Sequence, residues 1–328
     1  MWRANKYVIM ICLLAFSFLP WAKSQTAPAE DENIPFLVTF GGDAETSWGD
    51  DDFCQIFFFL VPEAYTEPFY IQVFDPDTGG ELDEMKGEYN TSVRYSVYGG
   101  AGVWSHEDAR NVDPVGRFES GNLLDSRSFA QSGRFDQQWY TFGPFHQREG
   151  EFVDQFGGYV FKVIAKGLNG DDGNLYKYAM STEKNEYRPI EGGNIFTYEY
   201  TFRLSNNQNN VSQIYPYLDD KVTSVKILNY DWDNDGFIRV VSVARRGELL
   251  TTSNEDEWQI NSLEITEKER NTSMEMQFIK NNRQLIRNNN VVVVVQNQYG
   301  ESLPFYVIPI GGRPVYRSAI RVKVMEKK

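Results

Sequence analysis

The chain breaks into short runs rich in Phe, Tyr, Val and Ile, each closed by a cluster of Gly, Asn, Asp or Pro. Apolar residues seldom recur at the three-and-four spacing that a helix needs. IPFLVTF from Ile34, CQIFFFLV from Cys54, FYIQVFD from Phe69, SVRYSVYG from Ser92, GYVFKVIAKG from Gly158 and FTYEYTFRL from Phe196 all have strand length and strand composition. Between them PDTGG at Pro76, NGDDGN at Asn169 and EGGN at Glu191 supply turn chemistry, the second reading as a hairpin connection. The fold class is therefore all-β. Residues 125–135, DSRSFAQSGRF, are the one stretch compatible with a helix, and their glycine and serines weaken it.

At Ser205 the alternation stops for SNNQNNVSQ, a polar run with little to bury, which reads as a linker over residues 205–213. A second β series follows: KVTSVKILNY, GFIRVVSVAR, WQINSLEIT, SMEMQFIK, VVVVVQNQ, FYVIPI and, from Ala319, AIRVKVM. Seven strands in such a length are the count of an immunoglobulin-like sandwich, assigned to residues 214–328. Residues 34–204 carry more strands and suit a jelly-roll-like β-sandwich. The expectation is two β-sandwich domains in series.

Arg3 and Lys6 precede an apolar run over residues 7–20, and Ala22, Lys23 and Ser24 place small residues where a signal peptidase reads them. Residues 1–24 are thus expected to be a secretory signal peptide, with destination periplasm, cell surface or extracellular space. The mature chain would open with QTAPAEDEN, so residues 25–33 are expected to be disordered. Cys12 leaves with the leader, and Cys54 alone cannot form an intrachain disulfide; it reads as a small buried apolar residue. The formal charge of -14, deepened by loss of the basic leader, repels phosphate backbones and argues against a nucleic-acid partner. No stretch after the leader is apolar and long enough for a membrane helix.

FFFLVP, followed by FYIQVFDPDTGGELDE and YSVYGG, resembles the core of the pre-peptidase C-terminal and related jelly-roll modules of secreted bacterial proteins. YDWDNDGF is similar to the D-x-D-x-D-G loops between strands of bacterial surface proteins. The resemblance implies an accessory or adhesive role, open to bound calcium, in place of catalysis.

Asp231, Asp233 and Asp235 stand at alternate positions before Gly236, matching the first half of a calcium loop, in which carboxylates at positions one, three and five aim at a common centre. Position twelve is Ser242 in place of a bidentate glutamate, so a backbone carbonyl, water or a carboxylate such as Asp219 or Asp220 would have to complete the shell. The alternative is a hairpin turn at Asn234, Asp235 and Gly236. GDDDF at Gly49 and FDPDTGGELDE at Phe74 are further oxygen-rich stretches that also suit ordinary turns. No G-x-S-x-G or H-E-x-x-H pattern occurs, and His106 and His146 have no ligand spacing, although two of the many carboxyls would suffice for glycoside hydrolysis.

Aromatic residues make up 15% of the chain, more than sandwich cores require, and Trp48, Trp104, Trp139 and Trp232 lie beside glycine- or acid-rich turns. Trp104, in YGGAGVWSHED, is the candidate ligand platform, a flat ring beside carboxylates being suited to a sugar face; the alternative for these rings is a place in the core or a hairpin. Function is thus expected to be a non-catalytic binding or structural protein of a bacterial envelope or surface, stabilised by calcium, with an envelope protein or a polysaccharide as partner. A carbohydrate-binding module is the alternative, and a carboxylate-dependent glycoside hydrolase the second alternative.

Overall fold

The computed structural model describes residues 25–280 and 286–316. The leader expected at residues 1–24 and the strand expected from Ala319 lie outside the described residues. Within them the extended elements are strands, and the helical pieces are single 3-10 turns such as Glu30–Glu32 and Glu107–Arg110.

The strands form antiparallel sheets of nine, seven, four and two strands. The run CQIFFFLV shows why the sequence reads as it does. Its strand, Cys54–Pro62, sits inside the seven-stranded sheet between Asn194–Thr197 and Gly158–Asn169. Phe57 and Phe59 point into the main core, whereas Phe58 joins a second cluster on the opposite face, so both faces are covered and the apolar run need not alternate. Across the main core, Phe57 meets Tyr178 and Tyr200 of the nine-stranded sheet at ring distances of 5.5 and 5.7 Å, and Tyr95 meets Tyr176 at 5.3 Å. These tilted and edge-on contacts interlock the two layers of a sandwich.

The nine-stranded sheet does not stop at the expected linker. Glu199–Arg203 pairs on one side with Phe36–Phe40 and on the other with Asn290–Asn297, which in turn pairs with Ser224–Tyr230. Three strands of the C-terminal half therefore extend the sheet of the N-terminal half, and Phe305–Tyr306 adds to the seven-stranded sheet through Asn194–Thr197. The four-stranded sheet, including Gly236–Val241 and Glu275–Lys280, covers the far end; Phe278 reaches across to Phe202 at 5.3 Å. One buried cluster runs from Leu37 to Val307 without a break between halves. Residues 205–213 carry a turn and the start of strand Val211–Ile214, while the link between halves is made by sheet pairing.

Three other expectations change. Residues 25–33 are structured: Thr26–Ala27 pairs with Tyr178 and Ala179, and the Glu32 carboxylate is buried, accepting the Tyr200 hydroxyl at 2.9 Å. Residues 122–129 form a strand on Ser92–Gly99 where a helix was conceivable, because cross-strand pairing outweighs weak local preference. NGDDGN is no hairpin: Gly158–Asn169 and Gly173–Ser181 belong to different sheets, and the turn carries the chain between layers. Asp172 fastens that crossing by accepting the Lys86, Asn90 and Thr91 amides.

A chain ending at Leu204 would leave one edge of Glu199–Arg203 unpaired and strip Phe202 of Phe278. Such a fragment is expected to show no cooperative thermal transition by near-ultraviolet circular dichroism, whereas a sharp transition at the temperature of the intact chain would show that the N-terminal half folds alone.

Candidate functional site

Residues 231–235 form a crossover. Strand Ser224–Tyr230 lies in the nine-stranded sheet and Gly236–Val241 in the four-stranded one, so the loop turns a corner between layers and closes no hairpin. Trp232 anchors the corner, fully buried with its ring 5.5 Å from Phe278, and is thus core and no surface platform. Asp231, Asp233 and Asn234 all adopt positive φ, which short polar side chains tolerate better than most. The three carboxylates take separate surroundings. Asp231 accepts the Asp256 amide at 2.9 Å, whereas Asp235 is ion-paired with buried Lys280 at 2.6 Å. Asp233 has burial and the charges of Glu255 and Asp235 pushing its pKa up. Among the described residues, the oxygens of Asp231, Asp233 and Asp235 are not drawn together within 4.8 Å as a calcium centre at that loop would draw them.

The acidic trio that does come together is Asp50, Asp51 and Asp52, one ligand oxygen from each lying within 4.8 Å of the others. Asp50 is buried and accepts the Phe40 amide at 3.1 Å and the Phe53 amide at 2.9 Å. Asp52 accepts the Cys54 amide at 2.8 Å through Oδ1, and its Oδ2 is buried without a partner. Glu199 enters from the neighbouring strand, 8% exposed, its pKa pushed up by burial and then by the charges of Asp52, Asp51 and Asp50. Burial, opposed by the Phe40 amide and reinforced by Asp51, pushes Asp50 to about 8. Hard oxygen donors grouped in this way can hold a metal ion. Cys54 beneath them is buried and free, and burial with Asp52 and Asp50 raises its thiol pKa, the opposite of nucleophile activation.

On the outer face of the seven-stranded sheet lies a cleft of about 980 Å³. One wall is the loop carrying Trp104, Glu107, Arg110 and Asp113; the other comes from residues 217–221 and 296–304 of the C-terminal half. Phe156, Tyr198 and Tyr306 line it between them. Trp104 is half-buried there, its Nε1 donating to the Tyr198 hydroxyl at 2.9 Å, its ring 5.2 Å from Phe156, and the Arg110 guanidinium 4.7 Å from its centroid. The loop is held from below by Glu151, which accepts the Trp104, Ser105 and Gly102 amides at 2.7, 3.0 and 3.1 Å. Burial opposes the charge on Glu151, but these donors and the Ser105 hydroxyl outweigh it and hold the pKa below the usual value. Buried Lys162 fastens the far end of the loop through the Phe118 carbonyl and the Ser120 hydroxyl, burial pushing its pKa down to about 8.

Of the four tryptophans beside turns, Trp104 is the one that lines the cleft. Trp48 lies under Lys86, 4.0 Å from its ring, and Trp139 packs on Phe74 at 5.3 Å. His106 is spent on local structure, its Nδ1 accepting the Asp108 amide at 3.1 Å at the start of turn Glu107–Arg110. The second wall could not be read from the sequence, because Tyr217, Asn271 and Glu301 line the same cleft as Trp104 through pairing between strands far apart in the chain.

Burial, partly offset by the Asp256 amide and reinforced by Asp233, Glu255 and Asp256, pushes the Asp231 pKa up to about 7. The folded chain therefore holds this proton up to about pH 7 while the unfolded chain releases it near pH 4, so this group costs stability as pH rises between those values. Asp231→Asn is expected to gain about 1–3 kcal/mol over the parent by pH 8, with little difference at pH 4, in urea unfolding; parallel pH profiles would contradict the raised pKa. No protein-family model matches the chain, and no curated protein matches it.

Proposed function

We propose that the protein is an exported, non-catalytic binding protein of a bacterial envelope or surface, and that its cleft holds a segment of neutral polysaccharide. The observation that carries this reading is the lining of the cleft: Trp104, Phe156, Tyr217 and Tyr306 on its walls, with Glu107, Asp219, Asp220 and Glu301 among them. Rings pack against the C–H face of a sugar while carboxylates and amides accept and donate to its hydroxyls. With Arg110 and Lys221 as the basic residues of the lining, acids predominate, which disfavours polyanionic chains. The leader-like pattern of residues 1–24 and the resemblance to secreted bacterial surface modules support export. Among the described residues no helix is long and apolar enough to cross a membrane.

Calcium is the metal suited to Asp50, Asp51 and Asp52, since carboxylates without nitrogen or sulfur favour a hard cation, and the nearby charge of Glu199 adds to its attraction. Asp113 links this centre to the cleft: it lines the cleft wall, and its charge raises the pKa of Asp51 and Asp52.

A protein partner is the second reading, favoured by strand Trp258–Glu264. It ends the nine-stranded sheet, and its Ile260 is 53% exposed, leaving an edge onto which another strand can add.

Affinity gels cast with a panel of neutral polysaccharides test the first reading. One of them is expected to retard the mature chain, and Tyr217→Ala, which truncates a half-buried ring of the wall, to weaken that retention by about tenfold or more. No retardation across the panel, with an envelope protein retained by the parent and lost by Ile260→Lys, would replace it with the second.

A further inference from the structure

Away from the cleft and from Asp50–52, the strands Phe69–Phe74 and Trp139–Phe145 pair antiparallel, and the loops at one end of that pair face each other. Asp75 follows directly after Phe74, at positive φ and with no exposed surface. Its Oδ1 accepts the Gln137 amide at 2.8 Å. Asp77, also buried, accepts the Phe135 amide and the Ser132 hydroxyl, both at 2.6 Å, through Oδ2. Asp136 lies between the two amides so bound, and its carboxylate rests against Gly80: a Cβ on that glycine would stand 2.2 Å from Asp136 Oδ1. Asp83 completes the ring of acids, accepting the Gly79 amide at 2.8 Å and the Leu175 amide at 2.7 Å.

Two oxygens in this cradle have nothing to bind. Asp75 Oδ2 and Asp136 Oδ1 are both buried without a hydrogen-bond partner. The nearby cations are engaged elsewhere: Lys86 pairs with Glu84 at 2.9 Å, Arg134 lies over Phe135 at 5.1 Å, and Arg127 lies over Tyr140 at 4.7 Å. Among the described residues no ion pair reaches Asp75, Asp77, Asp83 or Asp136. Four acids are thus gathered around one glycine turn with no basic side chain paired to them. A fully buried carboxylate oxygen left unbonded is costly, and a hard divalent ion removes that cost by taking such oxygens as ligands. Burial pushes the Asp75 pKa up to about 7, and after the opposing Gln137 amide the charges of Asp136 and Asp77 raise it further, as a cradle short of positive charge requires.

We propose that Asp75, Asp77, Asp83 and Asp136 form a second divalent-cation site, of calcium class, in which Asp75 Oδ2 and Asp136 Oδ1 are direct ligands. The cradle is wider than the Asp50–52 trio, so backbone carbonyls and water complete the six to eight oxygens that calcium takes. The ion would staple residues 75–84 to residues 132–138, two loops otherwise joined by the Asp75 amide on the Gln138 carbonyl and by the Gln137, Phe135 and Ser132 donors on the Asp75 and Asp77 carboxylates.

Hydrogen exchange of the chelator-stripped mature chain, with and without millimolar calcium, tests this site directly. Calcium is expected to slow exchange in residues 75–84 and 132–138 by about tenfold or more. Asp136→Asn, at a half-buried position, should abolish that slowing while leaving far-ultraviolet circular dichroism unchanged; Asp52→Asn should leave it intact, which separates this site from the Asp50–52 trio. Equal exchange of both loops with and without calcium in the parent protein would overturn the proposal, whether or not either variant folds. Glycan binding plays no part in this readout, so failure of the cleft reading would leave it unaffected.

Discussion

The pairing of Glu199–Arg203 between Phe36–Phe40 and Asn290–Asn297 is the constraint on which the rest of the molecule depends. Tyr198, just before this strand, accepts the indole N–H of Trp104 in the cleft. Glu199 feels the charges of Asp52, Asp51 and Asp50, which with burial push its pKa up. Tyr200 donates to buried Glu32 and packs on Phe57, Phe202 reaches Phe278, and Arg203 bonds Glu84 and Asn290. This strand and the residue before it thus tie together the N-terminal segment, the core shared by both halves and the cleft wall, with the acid trio within range of the Glu199 charge. Because it is central in the sheet, both its edges are bonded, and a shift of register by one residue would exchange Tyr200 and Phe202 for Glu199, Thr201 and Arg203 across the two faces.

The fold repeatedly solves the same electrostatic problem, a carboxylate removed from water, by different means. Asp235 receives Lys280; Glu84 receives Arg203 and Lys86; Glu269 receives Arg245 together with Ser242 and Thr266. Asp172 and Glu151 are each met by three backbone amides, the donors that bent loops leave free. Against these, Asp52 and Asp75 each keep a buried oxygen with no donor, as do Glu32 and Asp171 outside the two acid groups. What sets Asp52 and Asp75 apart is that further acids crowd them, the charges of Asp50 and Asp51 acting on the first and those of Asp136 and Asp77 on the second.

Strand positions were legible in the sequence because aromatic and β-branched runs ended at turn residues, and Cys54–Pro62, Phe69–Phe74, Ser92–Gly99 and Asn290–Asn297 fall where their patterns lie. Pairing was not legible. The asparagine-rich run at Ser205 has the composition of a linker, and nothing local shows that the five consecutive valines from Val291 lie beside residues almost a hundred positions earlier. The same blindness affected the acids. Alternate aspartates at Asp231, Asp233 and Asp235 match half a calcium loop, but nothing local shows that Asp235 pairs with a lysine at position 280 or that Trp232 between them is drawn into the core. Trp104 was legible as a ring in a glycine-rich loop; its partners across the cleft, from the other half of the chain, were not.

Native-state hydrogen exchange in low denaturant tests most directly whether one sheet and one core unite the chain. Amides of Glu199–Arg203, Phe36–Phe40, Ser224–Tyr230 and Asn290–Asn297 should merge into a single slowest-exchanging set with one opening free energy and one denaturant dependence. Two sets with distinct opening free energies, divided near Ser205, would contradict it and return the molecule to two sandwiches that merely touch.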